Sequence, residues 1–367
     1  MPPPTAPILA PYTASPFPAH SLTLITSVLG ATSNWLVLRI LCDALSSGSG
    51  VGDEFGGVGG VRGRRVVFMS FLRGWEFWRG EGRRVGLDLS RLSNEGSFTF
   101  IDGVSELFLP AQSTGEAPSL SGVSTSSTLP IRGPAQPARG PVSATRARVP
   151  ATQQRSGSSS SSSNSSNAKK LQWSTKVGLD ALVREVASAI DDVSGNTASD
   201  ERPVDSETLL VIDQPDLLLA ATGPGMGVGA VEMGEFVMGL READGLTFCE
   251  KRVHSTVVTL AADSPLIHTA LAESAQQQPT PLEKEHASLV VGMAHQARMV
   301  MQLRGLDTGV ARDVSGVLRI SKGGGYIPAT GNGDKRDDYG QVAGLEEKEV
   351  LYFVQGDGAV RVFGRGE

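Results

Sequence analysis

Four sets of residues in this 367-residue chain have types and spacings that could do chemistry. The first is Leu29 to Leu36, LGATSNWL, a glycine turn between an apolar strand-like run and an apolar helix-like run. That layout carries the phosphate loop of NTPases, in which a second glycine, Lys and Ser/Thr bring amides, an ammonium and a hydroxyl onto phosphates and Mg²⁺. Counting on from Gly30, those three places hold Trp35, Leu36 and Val37, so the scaffold is present without its chemistry. The second is Asp213, which closes the apolar run LLVID where an NTPase keeps a metal-orienting acid. The third, Gly225 to Ala230, matches G-x-G-x-x-G/A before a helix. In the dinucleotide fingerprint, however, the glycines follow the strand directly, and here a long stretch intervenes after Asp213. The fourth is the five histidines. His286 and His295 share a predicted helix but stand more than two turns apart, too far for one metal ion. Cys42 and Cys249 have no zinc spacing and read as buried apolar residues in a reducing compartment. No catalytic, cofactor or metal site emerges.

The elements that must position these residues alternate between strand and helix. Ser21 to Val28 reads as a buried strand and Asn34 to Leu45 as a buried helix. Arg65 to Phe71 and Ser97 to Asp102 read as strands. Arg73 to Arg84, RGWEFWRGEGRR, sets three aromatic residues among charges. It reads as a short helix or turn on the sheet edge, with Arg73, Trp75 and Trp78 as candidate anchors of a protein contact. Val177 to Val193 is an amphipathic helix. Glu207 to Asp213 and His254 to Ala262 are strands, and helices are expected at Gln214 to Ala221, Glu232 to Ala243 and Pro281 to Gln296. Arg298 to Leu303, Gly316 to Ser321 and Val350 to Phe363 supply the remaining strands, with Asp357-Gly358 as a hairpin turn. The pattern predicts an α/β fold with a mainly parallel sheet covered on both faces and finished by antiparallel strands.

Composition sets the domain reading. Residues 1–20 read as a Pro-rich disordered leader, and 21–367 as a single domain interrupted by flexible insertions at 46–64, 111–170 and 323–347. The segment 111–170 holds sixteen serines, no aromatic residue, seven Lys/Arg and one acid. Without it the chain has 33 − 7 = 26 basic against 39 − 1 = 38 acidic residues, a balance of −12. Such a body is a poor nucleic-acid binder alone, because phosphate neutralisation supplies most non-specific affinity. The chain start lacks the basic region and apolar run of a secretory signal, and Asn34, Arg39 and Asp43 break up the one long apolar run. A soluble intracellular protein with no membrane association is expected.

The order of elements and several phrases resemble the Elongator complex protein 6 family. The carrying residues are LGATSNWL (29–36), VVFMSFLRGWEFW (66–78), FTFIDGVSELF (98–108), LLVIDQPDLLLAAT (209–222), HSTVVTLAADSPLI (254–267) and AHQARMVMQLRGLDTGVARDVSGVLRI (294–320). The resemblance implies a RecA-like fold with a degenerate phosphate loop at Gly30, Trp35 and Leu36 and no working nucleotide motif. It implies a non-catalytic subunit that forms a hetero-hexameric ring with two sibling RecA-like subunits. That ring would dock on the larger Elongator subunits, bind tRNA and support wobble-uridine (U34) modification, in cytoplasm and nucleus. Lys322, Lys335 and Arg336, near the loop after the DVSG turn, are the candidate nucleic-acid contacts. Two rival readings remain at this stage: an active ATPase using Asp213, and a dinucleotide-binding enzyme using Gly225 to Ala230.

Overall fold

A single sheet of ten strands runs through the molecule, in the order β10-β9-β8-β7-β1-β6-β5-β2-β3-β4. The computed structural model describes residues 7–13, 17–46, 64–109, 168–174, 176–195, 208–242, 253–271, 278–306, 309, 311–328, 344–356 and 358–364. The strands are β1 (Ser21–Ser27), β2 (Arg65–Ser70), β3 (Phe98–Asp102), β4 (Ala168–Lys170), β5 (Thr208–Asp213), β6 (Val253–Ala261), β7 (Met299–Arg304), β8 (Gly316–Lys322), β9 (Lys348–Val354) and β10 (Val360–Phe363). From β4 to β7 every pairing is parallel, and β7 to β10 form an antiparallel meander. The α/β class with antiparallel C-terminal strands is as the sequence predicts, and the architecture is consistent with the RecA-like reading.

Strand alternation divides the core in two. Ile25, Val66, Phe68, Leu209, Val211 and Val257 point to one face, beneath α1 (Ala10–Thr13), α2 (Asn34–Ser46), α3 (Trp75–Arg84) and α4 (Leu89–Asn94). Leu22, Leu24, Val67, Met69, Leu210 and Ile212 point to the other, beneath α5 (Leu179–Gly195), α6 (Asp216–Thr222), α7 (Ala230–Arg241) and α9 (Pro281–Gln296). A parallel sheet needs both faces covered, and the continuous apolar runs of β1, β2 and β5 are the sequence signature of that burial. A further helix, α8 (Ser264–Leu271), leads from β6 towards α9. Among the described residues no helix is long and apolar enough to cross a membrane.

Three expectations are corrected. In the leader, Leu9, Tyr12 and Phe17 are buried in the α1–α2 side of the core, and the Tyr12 hydroxyl donates to the Glu346 carbonyl at 3.0 Å. The end of the segment 111–170 forms β4, which pairs with β3 through Ala168 to Lys170; its preceding residues lie outside those described. The start of 323–347 is docked rather than loose. The amides of Gly323, Gly324 and Gly325 donate to the carbonyls of Arg298, Ala294 and Ala297 around the end of α9. A Cβ on Gly323 would sit 2.1 Å from the Ala297 carbonyl oxygen, so only glycine permits this approach. The insertion at 46–64 falls almost wholly outside the described residues.

The burial of Leu9 is directly testable. Leu9→Ala is expected to cost about 2–5 kcal/mol in urea unfolding, the usual range for emptying a core leucine site. A disordered leader would give no change.

Candidate functional site: a self-occupied phosphate loop

At the carboxyl end of β1 the chain makes a four-residue turn. The Ala31 amide donates to the Val28 carbonyl at 2.9 Å, and Gly30 takes φ +86°, the left-handed position that glycine fills in a type II turn. This turn replaces the wider loop that would wrap a phosphate. The Leu29 amide, which could face an anion, donates to the Asp263 carboxylate at 2.8 Å. An internal negative charge thus stands where a phosphate would need positive surroundings. Beyond the turn, Leu36 and Val37 are buried in the core. Trp35 packs on Tyr352, with ring centroids 5.0 Å apart. The places that phosphate chemistry would give to Lys and Ser/Thr are therefore packing positions. Tyr352 has its hydroxyl pushed up to about 12 by burial.

Asp213 ends β5 between β2 and β6, in register with Ser70 and Thr259. It is fully buried. The Ser70 and Thr259 hydroxyls each donate to its carboxylate at 2.7 Å. Thr259 Oγ1 also accepts from the Gln214 amide at 3.0 Å, and Ser70 Oγ from the Arg73 amide at 3.1 Å. Gln214 is held at φ +55°, a conformation uncommon for a residue with a side chain. Burial raises the Asp213 pKa above the ordinary carboxylate value, against the lowering effect of the two hydroxyls and the Arg73 charge. A carboxyl so enclosed ties three strands together; it is not presented to a solvated metal ion.

The Arg73 guanidinium bonds Asn34 Oδ1 at the first residue of α2 and lies 4.6 Å from the Phe77 ring centroid. Trp75 and Trp78, read from the sequence as contact anchors, are 9 % and 0 % exposed. Trp78 meets Phe68 edge-on at 4.7 Å, and Trp75 lies 5.5 Å from Phe100. The anchor reading is corrected for both: spaced three apart on α3, they share the face turned to the sheet. Lys322 is exposed at the end of β8, with its ammonium 5.0 Å from the Tyr326 ring centroid. Lys335 and Arg336 lie outside the described residues, as does Cys249. Cys42 is buried, with its thiol pushed up to about 11 chiefly by burial.

The glycine loop of the dinucleotide reading is likewise filled from within. It forms a short 3₁₀ turn, Pro224–Met226, ahead of α7. Glu232 accepts from the Gly229 amide at 2.9 Å and Glu285 from the Ala230 amide at 2.7 Å. Two carboxylates already take the helix N-terminus that a pyrophosphate would need.

One pair escaped the sequence reading. His286 Nε2 lies 3.4 Å from Asp216 Oδ2, both side chains buried, and Asp216 Oδ2 also accepts from the Ala261 amide. The second acid of the phrase IDQPD was the available signal. His295 is exposed at the other end of α9. Among the described residues no group of three or more His, Cys, Asp or Glu could hold a metal ion.

Fold and site together define a mainly parallel α/β protein with the layout of a phosphate-loop protein and carboxylates in the anion positions. The model of the Elongation complex protein 6 family matches residues 151–334, half of the chain. The chain belongs to that family, and the family implies a subunit of the Elongator complex, associated with other Elongator subunits in tRNA modification. A stretch of 110 residues is also 32 % identical to 4-diphosphocytidyl-2-C-methyl-D-erythritol kinase of Geobacter sulfurreducens. That stretch is 28 % of this chain and 39 % of the kinase, so the chain spans about two fifths of that relative.

The raised Asp213 pKa has a defined sign. Because the folded state disfavours ionisation, the group's cost to stability is absent below the ordinary carboxylate pKa. It grows as pH rises, by at most about 1.4 kcal/mol per unit, up to the raised folded value. Asp213→Asn cannot ionise, so its melting temperature is expected to gain on wild type between pH 4 and pH 8. A constant difference across that range would contradict the burial argument. Asp213→Ala is expected to lose about 1–3 kcal/mol near pH 4, where the wild type carries no ionisation cost, because two hydroxyls lose their acceptor, and to lose less as pH rises. Trp78→Ala is expected to cost about 3–5 kcal/mol of folding stability, read by urea unfolding.

Proposed function

We propose that this chain is a non-catalytic, RecA-like subunit of the Elongator complex. It joins two sibling RecA-like subunits, two copies of each, in a hetero-hexameric ring. The ring binds tRNA and supports wobble-uridine modification carried out elsewhere in the complex, in cytoplasm and nucleus. The observation that carries the non-catalytic part is the Asp263 carboxylate on the Leu29 amide, with Leu36 and Val37 in the core behind it. Those two places hold neither an ammonium nor a hydroxyl to bind a nucleotide's phosphates. This argues against the ATPase reading, and the carboxylates at Gly229 and Ala230 argue against the dinucleotide reading.

The assembly part draws support from the same edge of the sheet. The segments at the carboxyl ends of the parallel strands carry large exposed apolar side chains: Leu29 after β1 (93 % exposed), Leu72 after β2, Phe108 and Leu109 after β3, and Leu217 in the first turn of α6 after β5. In a nucleotide-binding α/β protein that edge is polar and receives the ligand. Exposed apolar residues gathered there suit a protein neighbour.

Native mass spectrometry of the chain co-expressed with its two siblings is expected to give a six-chain assembly, and a monomer would refute the ring. Leu29→Glu with Leu72→Glu is expected to weaken assembly about tenfold or more while shifting stability by less than about 0.5 kcal/mol. Isothermal titration of the isolated chain with ATP is expected to show no binding up to about 1 mM. Micromolar binding would restore the ATPase reading.

A further inference from the structure

The antiparallel extension of the sheet has one buried side and one open side. Leu303, Leu318, Ile320, Val350 and Tyr352 enter the core on the α1–α2 face. The alternate positions on the same strands present a more open surface, on which Val317 is buried. Arg319 on β8 and Arg361 on β10 are exposed, and Phe353 on β9 and Phe363 on β10 are partly exposed and belong to neither apolar cluster. The register sets Phe353 beside Arg361. It also sets Arg319 beside Glu349, whose carboxylate is paired with Arg304 at 3.1 Å. Arg319 and Arg361 form no ion pair among the described residues. Among the described residues three arginines thus stand with one glutamate on this face, on a chain whose net charge is −6.

We propose that this open face of the C-terminal strands binds a single-stranded segment of RNA, with bases on Phe353 and Phe363 and phosphates at Arg319 and Arg361. Arg361 alternates with Phe363 along β10 and lies beside Phe353, and Arg319 adds a second exposed cation on β8; together they offer the two interactions such a segment seeks, π-faces for unstacked bases and fixed cations for the backbone. A protein partner is less well matched, since the large exposed apolar side chains gather at the carboxyl edge, where protein contact is favoured. The inference deepens the tRNA-binding part of the proposed function and rests on it.

The test titrates an unmodified tRNA transcript into the complex of this chain with its sibling subunits, at several salt concentrations. Assembly is checked in parallel by native mass spectrometry. Arg319→Ala with Arg361→Ala is expected to weaken binding about tenfold or more and to reduce the slope of log affinity against log salt by about 1.4, two single-strand phosphate contacts. Arg319→Lys with Arg361→Lys is expected to restore most of that slope. Phe353→Leu, which keeps apolar volume on the strand, is expected to weaken binding about fivefold or more with the slope unchanged. Wild-type affinity and slope in the alanine variant would overturn the inference and leave the proposed function standing. Loss of a subunit from the complex in that variant would overturn it in favour of a protein-docking face. A wild-type complex that does not bind tRNA would overturn the tRNA part of the proposed function, and this inference with it.

Discussion

The carboxylate of Asp213 holds the carboxyl ends of three adjacent parallel strands at one level. It accepts from Ser70 on β2 and Thr259 on β6, and those hydroxyls in turn fix the amides of Arg73 and Gln214. Through Arg73 and Asn34 the constraint reaches the first residue of α2, the helix that follows the degenerate loop. A working NTPase spends its strand-end acid on a metal ion. Here the same position is used laterally, in a low-dielectric setting where each hydroxyl–carboxylate bond is strong and an unmade one is costly. The edge that elsewhere binds ligand has become a fixed joint.

The anion-binding geometry of the phosphate-loop layout is present but occupied. Asp263 takes the Leu29 amide, and Glu232 and Glu285 take the two amides at the start of α7. Turn amides and helix N-termini attract negative charge whatever its source. Side-chain carboxylates can therefore satisfy them permanently and keep a free phosphate out by repulsion. Some of the chain's excess of acidic over basic residues has this structural use.

The phosphate loop could be read from the sequence because its chemistry depends on residue types at fixed spacing, and Trp35, Leu36 and Val37 are plainly the wrong types. The strands and major helices were legible from apolar runs and helical periodicity. What was missed depends on distant partners. Trp75 and Trp78 look exposed when read among arginines and glutamates. The aromatic rings of Phe68 and Phe100 that bury them come from strands whose adjacency no local pattern encodes. The proline-rich composition of the leader hid the apolar trio Leu9, Tyr12 and Phe17, and glycine-rich composition at Gly323 to Gly325 suggested looseness where close approach was the reason. Asp263 stands 234 residues from the amide it occupies, so its role was invisible until the fold joined them.

The central strand β1 lies between β6 and β7, both made in the second half of the chain. During synthesis β1 and the buried helix α2 precede the neighbours of β1, which arrive more than two hundred residues later. Parallel pairings of such sequence separation form slowly, since loop closure must precede any gain from contact. The nascent chain therefore exposes β1 and α2 until β6 and β7 have been made. In that interval the apolar face of the unpaired elements is the surface a chaperone would cover.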